Sequence, residues 1–164
     1  MNIKISGVVN DSIVDGAGLR LTVFTQGCTH HCNGCHNPET HDFSGGYWVY
    51  TDDIIQVASE NPLLDGITLS GGDPMEQAVA CAELAKQAHT LGLNVWTYTG
   101  YTWEQLLAEQ NTDRMALLQY TDVLVDGPFL EHQRSLDLQF RGSQNQRLID
   151  VKASLAQHTI VLWA

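Results

Sequence analysis

Apolar positions along the chain recur in two periods, and the two alternate. Residues 3–9 and 19–25 are rich in β-branched and aromatic side chains and read as strands. Asn10-Asp11 closes the first, and Asp15-Gly16-Ala17-Gly18 precedes the second. Residues 51–59 read as a helix, with Thr51 as N-cap before Asp52 and Asp53. A short apolar strand over 66–70 stops at Gly71-Gly72-Asp73-Pro74. The pattern over 75–91 is the clearest helix. Asp73 caps it, Pro74 suits its first turn, Glu76 completes a capping box and Gly92 ends it. Its Ala78, Cys81, Ala85 and Ala88 share one face, so Cys81 reads as a small core residue. Further strands are predicted over 93–99 and 122–126, and a helix over 103–119 with a break near 111–113. After Gly127-Pro128 the tail offers a polar loop around 141–147 and strands near 147–151 and 159–163.

Strands alternating with helices predict βαβ units, hence an α/β fold with a mostly parallel sheet and right-handed crossovers. A length of 164 residues predicts a single domain over 1–164. A closed eight-unit barrel takes roughly 250 residues, so the expected form is an open, partial TIM-type barrel. In such sheets, ligands sit beyond the C-terminal ends of the strands. The 28–37 loop, Gly71-Gly72-Asp73, Thr97-Tyr98-Thr99-Gly100 and Asp126-Gly127 each follow a strand, so all should meet on one rim.

Charge narrows the function. The formal net charge of -11 argues against nucleic acid, whose binding rests on Lys and Arg at phosphates. No run approaches eighteen apolar residues and no basic-then-apolar leader opens the chain, so neither membrane nor export is expected and a cytoplasmic location is. Between Leu21 and Ala85 there is no Lys or Arg, and nine acids make that stretch -9. The only net-basic stretch is the tail, with Arg134, Arg141, Arg147 and Lys152.

Three of the four cysteines lie inside the acidic stretch. Cys28, Cys32 and Cys35 form C-x3-C-x2-C, and in a reducing compartment such clusters bind metal more often than they form disulfides. Two metals fit the loop. Structural zinc accepts Cys3His, with His30, His31, His36 and His41 as candidate fourth ligands. An iron–sulfur cube held by three thiolates leaves one iron open, which suits catalysis. A zinc-binding interaction module has no need of the Gly-Gly turn on the same rim, whereas an active site for a bound cofactor does.

C-x3-C-x2-C after one core strand, with Gly71-Gly72-Asp73-Pro74 after the next, resembles the radical S-adenosylmethionine (SAM) enzymes. The likeness tightens along the chain: 15–20 (Asp-Gly-Ala-Gly-Leu-Arg), the 28–37 loop, 96–101 (Trp-Thr-Tyr-Thr-Gly-Tyr), 123–127 (Val-Leu-Val-Asp-Gly) and 141–147 (Arg-Gly-Ser-Gln-Asn-Gln-Arg) occur in this order. That set resembles the glycyl-radical enzyme activases that serve anaerobic ribonucleoside-triphosphate reductase. The nearest alternative is an activase of another glycyl-radical enzyme, such as pyruvate formate-lyase. Two positions depart from the pattern. His36 stands where an aromatic residue is frequent, and Ala17 where the family has proline.

The resemblance implies a 4Fe–4S cluster on Cys28, Cys32 and Cys35, with SAM chelating the open iron. Reductive cleavage of SAM would give a 5′-deoxyadenosyl radical that takes hydrogen from a glycine of the partner reductase. It implies Gly34, Cys35 and His36 on the adenine side and Gly71, Gly72 and Asp73 toward the methionine amino group. Thr97, Thr99 and Asp126 would contact ribose or carboxylate. The implied partners are the large subunit of the reductase and a low-potential electron donor such as flavodoxin, with the basic tail as a docking surface. Whether the chain forms a homodimer within that complex stays open.

Overall fold

The computed structural model describes residues 1–35 and 37–163, and its helices lie on one side of a single sheet. The strands are β1 (Asn2–Ser12), β2 (Arg20–Thr25), β3 (Tyr47–Tyr50), β4 (Gly66–Gly71), β5 (Asn94–Tyr98), β6 (Val123–Asp126) and β7 (Arg147–Asp150). The helices are α1 (Thr51–Ser59), α2 (Ala78–Thr90), α3 (Trp103–Glu109), α4 (Thr112–Tyr120) and α5 (Val151–Gln157). The sheet order is β3-β1-β2-β4-β5-β6-β7. Its centre, β2-β4-β5-β6, is parallel as the alternation predicts, and antiparallel β1 and β3 on one side and β7 on the other complete it.

Strand parity builds two different faces. Leu21, Val23, Ile67, Leu69, Val95 and Leu124 share one core with Ile54 of α1, Leu84 of α2, Leu106 of α3, Leu117 of α4 and Val151 of α5. Each such leucine contributes about 1.5–3 kcal/mol by leaving water. The small stripe on α2 lets it lie close, and Cys81 sits there with no exposure. The opposite face carries Trp96, Val123 and Val125, packed with Tyr98 and Leu148 of the strands and with Ala17 and Phe140 from loops rather than with a helix. Across it reaches Arg20, fully buried, donating to Thr68 Oγ1 (2.7 Å), Ala17 O (2.8 Å) and Ile67 O (2.7 Å). Burial lowers its pKa to about 10, so it remains a cation at neutral pH and pins the 15–18 turn over the open face.

Several predicted boundaries shift for physical reasons. β1 runs through Asn10-Asp11 to Ser12, its register broken between Val9 and Ser12 as at a bulge. Helix 75–91 opens as a 3-10 turn over Pro74–Gln77, and α2 starts at Ala78. Asp73 does cap it, accepting from Met75 N, but the Asp73 N–H goes to Gly27 O (2.9 Å), so Glu76 closes no capping box. Tyr50, not Thr51, occupies the N-cap of α1. The predicted break between α3 and α4 is real, and Asn111 caps the second helix through Asp113 N and Arg114 N. In the tail, residues 159–163 contribute one bridge, Ile149 to Leu162, and α5 occupies the stretch before it.

Candidate functional site

The cysteine loop leaves β2 and is folded back on itself at its base. Gly27 N donates to Thr40 O (2.6 Å), Cys28 N to His41 O (3.2 Å), and Gln26 Nε2 to Glu39 O and Asp42 O. Cys28 is buried, Cys32 and Cys35 are half-buried, and all three thiols are free. Burial pushes the Cys28 thiol up to about 11, against the pull of the His30 and His31 N–H groups turned toward its sulfur. Burial likewise raises Cys32, opposed by the Phe129 main chain. Loading iron would therefore displace protons from the loop. Among the described residues no three Cys, His, Asp or Glu side chains are gathered at metal-binding distance. The donor chemistry nonetheless suits an iron–sulfur cluster: three thiols on one short loop, none in a disulfide.

The rim converges as expected. Gly72 N donates to Thr25 O (2.8 Å), Thr99 N to Val125 O (3.0 Å) and Gly127 N to Tyr101 O (2.9 Å). Gly71 and Gly72 are glycines because the end of β2 sits against the first and the loop base on the second. A Cβ at Gly71 would stand 2.5 Å from Thr25 N, and one at Gly72 2.4 Å from Gly27 O. This close approach, apart from any ligand, accounts for the Gly-Gly pair.

Of the other expected cofactor contacts, Asp73, Thr97, Thr99 and Asp126 have protein partners. Asp73 is wholly buried and accepts from His30 Nε2 (2.6 Å), Thr99 Oγ1 (3.0 Å), Gly100 N (3.0 Å) and Met75 N (2.9 Å). Thr99 is thus occupied on Asp73. Thr97 is on the same face of β5 as Val95 and bonds Thr121 Oγ1 (2.9 Å), within the helix layer. Asp126 is buried and accepts from Trp103 N (2.8 Å) and Arg147 Nη2 (2.6 Å). Gly34 is exposed on the loop, with the Glu131 side chain beside it. His36 lies outside the described residues. His30 enters the sequence reading only as a candidate zinc ligand; its partner Asp73 lies 43 residues on, so no local signal marks the contact.

Arg147 also departs from expectation. Its guanidinium grips Glu104 (2.9 and 2.8 Å) and Asp126, so it is no free docking charge. Arg141 keeps its Nε buried without a hydrogen-bond partner. The Arg147 hydrogen bonds hold Glu104 at about 2. A depressed carboxyl favours the folded state above its unfolded value of 4.5, and that support fades as pH falls toward 2. Glu104 is mostly solvent-exposed, so the stability effect is small, but the titration is direct. By NMR, Glu104 should half-protonate near pH 2 in the native protein and shift up toward 4.5 in Arg147→Met, where the Thr102 hydroxyl and the Glu104 N–H still favour the carboxylate. An unmoved midpoint in the variant would remove Arg147 as the cause.

Between the loop and the open face lies a groove of about 790 Å³. Cys35, Asn37, Ser70, Tyr98, Phe140 and Arg141 are among its walls. Its size is that of a small-molecule site. Tyr98 Oη donates to Phe140 O (2.5 Å), fixing the far wall to the end of β5.

The chain matches a family model described as a 4Fe-4S single cluster domain over residues 14–149. It is 41% identical over 143 residues to the anaerobic ribonucleoside-triphosphate reductase-activating protein of Vibrio cholerae, covering 82% of this chain and 89% of that one. The protein of the same name from Haemophilus influenzae is 37% identical over 145 residues (82% and 89% covered). That of Escherichia coli is 35% identical over 142 residues (82% and 90%). Among solved structures, QueE from Escherichia coli aligns with a TM-score of 0.49 and 14% identity over 62% of this chain and 54% of that one. With more than four-fifths of its length aligned to such relatives and a cluster-domain match over residues 14–149, the chain belongs to the family of anaerobic ribonucleoside-triphosphate reductase-activating proteins.

Proposed function

We propose that the chain is a radical SAM activase that makes a glycyl radical on anaerobic ribonucleoside-triphosphate reductase. The observation that carries this is three free thiols on one loop, one of them, Cys35, lining a ligand-sized groove, in a chain of this family. Cys28, Cys32 and Cys35 would hold a 4Fe–4S cluster, and Cys35, which lines the groove, would bring it to the ligand. When bound, cluster and SAM supply a reductive cleavage whose 5′-deoxyadenosyl radical takes a hydrogen atom from the partner's glycine.

The chain's own work is binding and orientation. Gly71 and Gly72 let the loop base lie flat on the end of β4, which sets where the thiols stand. Ser70, Asn37 and Tyr98 give the groove its polar contacts, and the aromatic walls Phe24, Phe129 and Phe140 suit a base ring. The groove is open to solvent along the loop-covered face, where Ile13 and Val14 are exposed. An extended segment of a partner protein would enter there.

Anaerobic reconstitution with ferrous iron and sulfide tests the reading. A brown protein with about four iron and four sulfide is expected. With SAM, reductant and the reductase it should yield 5′-deoxyadenosine and a glycyl radical signal by electron paramagnetic resonance. Pyruvate formate-lyase in place of the reductase should give no signal. A colourless protein holding a single zinc would overturn the proposal.

A further inference from the structure

Asp73 does more than a helix cap requires. Capping uses Oδ1, which accepts from Met75 N. The other oxygen, Oδ2, takes three donors from two other rim loops: His30 Nε2, Thr99 Oγ1 and Gly100 N. The Asp73 N–H meanwhile holds Gly27 O. The 71–74 turn therefore grips the cysteine loop at Gly27 and at His30, on either side of Cys28, with Cys32 two residues beyond.

The slot for His30 is built to fit. Its ring meets the Tyr101 ring edge-on at 4.6 Å between centroids. A Cβ on Gly100 would come within 2.5 Å of the imidazole, so only glycine leaves room for it there. The hydrogen bond to Asp73 is short and its acceptor has no exposure to water. Buried charge-assisted bonds of this kind hold geometry better than exposed ones.

We infer that Asp73, acting through the His30 ring, is the positioning residue of the cysteine loop: the side-chain pair sets the separation and orientation of Cys28 and Cys32, and it fixes the main chain at His30, whose N–H is turned toward the Cys28 sulfur. The inference rests on the reading that these cysteines hold the cluster. Partners one step removed from metal ligands orient them, and losing one typically weakens metal binding 10–100-fold.

The test uses reconstituted full-length protein at a temperature where circular dichroism shows every variant folded. His30→Ala should lose iron to a chelator about tenfold faster than the native protein. It should also change the line shape of the reduced cluster in paramagnetic resonance, which a general loss of stability does not do. His30→Gln, whose amide can still donate to Asp73, should restore both. Asp73→Asn keeps a cap oxygen for Met75 and turns an N–H toward the three donors, so it should behave like His30→Ala. The double variant should be no worse than the poorer single, because both cut one link. Should His30→Ala fail to fold, Gly100→Ala displaces the ring without removing either partner and should show the same faster loss. If the native protein loads and the variants match its iron-loss rate and line shape, the positioning role is overturned alone. If the native protein takes up no cluster, the reading of the cysteines falls and this role with it.

Discussion

Cys32→Ala protein, reconstituted anaerobically, should come out colourless and form no 5′-deoxyadenosine, while unfolding at nearly the native temperature. The reasoning separates chemistry from packing. Cys32 is half-buried and free, so the fold has little invested in its sulfur. A cube held by three thiolates has no protein ligand to spare, so losing one removes a third of its protein bonds. Cys81→Ala should do the reverse. Cys81 lies without exposure among Leu84, Ala85 and Ala88, and burial pushes its thiol far above the ordinary range, so it is inert as a ligand. Its loss should cost about 1 kcal/mol of stability and leave colour and product formation intact. Iron analysis, product assay and thermal unfolding on the two variants check this. Retained cluster in Cys32→Ala, or lost cluster in Cys81→Ala, would move the site away from the loop.

How far the fold was legible depended on whether a signal was local. The parallel centre was, because Ile67-Thr68-Leu69 and Val123-Leu124-Val125 are short apolar runs ended by glycine turns. β3 was not: three of the four residues in Tyr47–Tyr50 are exposed and the fourth only half-buried, so this edge strand lacks the inside–outside alternation that marks one. α5 is two turns long and follows β7 directly, with Asp150 as its cap, leaving no gap in which to see a change of period.

At the site, the residue types at strand ends were readable but their partners were not. Thr97 could have been excluded by parity alone, since it falls on the Val95 side of β5 with the helix core. Asp126 and Arg147 are 21 residues apart and find each other only because β6 and β7 pair antiparallel, Asp126 opposite Arg147. The acidic stretch is also less uniform than its count of -9 suggests. Asp73 is buried on four donors, Asp65 accepts from Leu19 N, and Glu76 accepts from Tyr101 Oη and faces Arg114. Part of that charge is therefore spent holding loops together, Asp73 and Glu76 at the rim and Asp65 at the opposite end of the sheet.

Gly72→Ala should lower the unfolding free energy by about 2–3 kcal/mol, near the upper end of what an extra methyl in a packed interior costs. The size follows from what the new Cβ meets: Gly27 O at 2.4 Å and Thr40 O at 2.8 Å. Both are main-chain oxygens, so no side chain can rotate to relieve the contact. One of the two backbones has to move, and both belong to the base of the cysteine loop. Gly27 N also donates to Thr40 O, so the displacement would loosen the bond that closes the loop. Weaker cluster retention should therefore accompany the lost stability. Gly71→Ala should cost more, because the same kind of clash, 2.5 Å from Thr25 N, is joined by a φ of +95° that side chains rarely adopt. Gly7→Ala is the control: a Cβ there meets nothing within 4 Å, so the change should stay within about 0.5 kcal/mol. With a urea slope of roughly 2–3 kcal/mol per molar for a chain of this size, Gly72→Ala should move the midpoint down by about 1 M. Urea melts of the three variants, each followed by iron retention after reconstitution, read both effects. A Gly72→Ala midpoint level with that of Gly7→Ala would mean that the cysteine loop does not rest on the Gly-Gly turn.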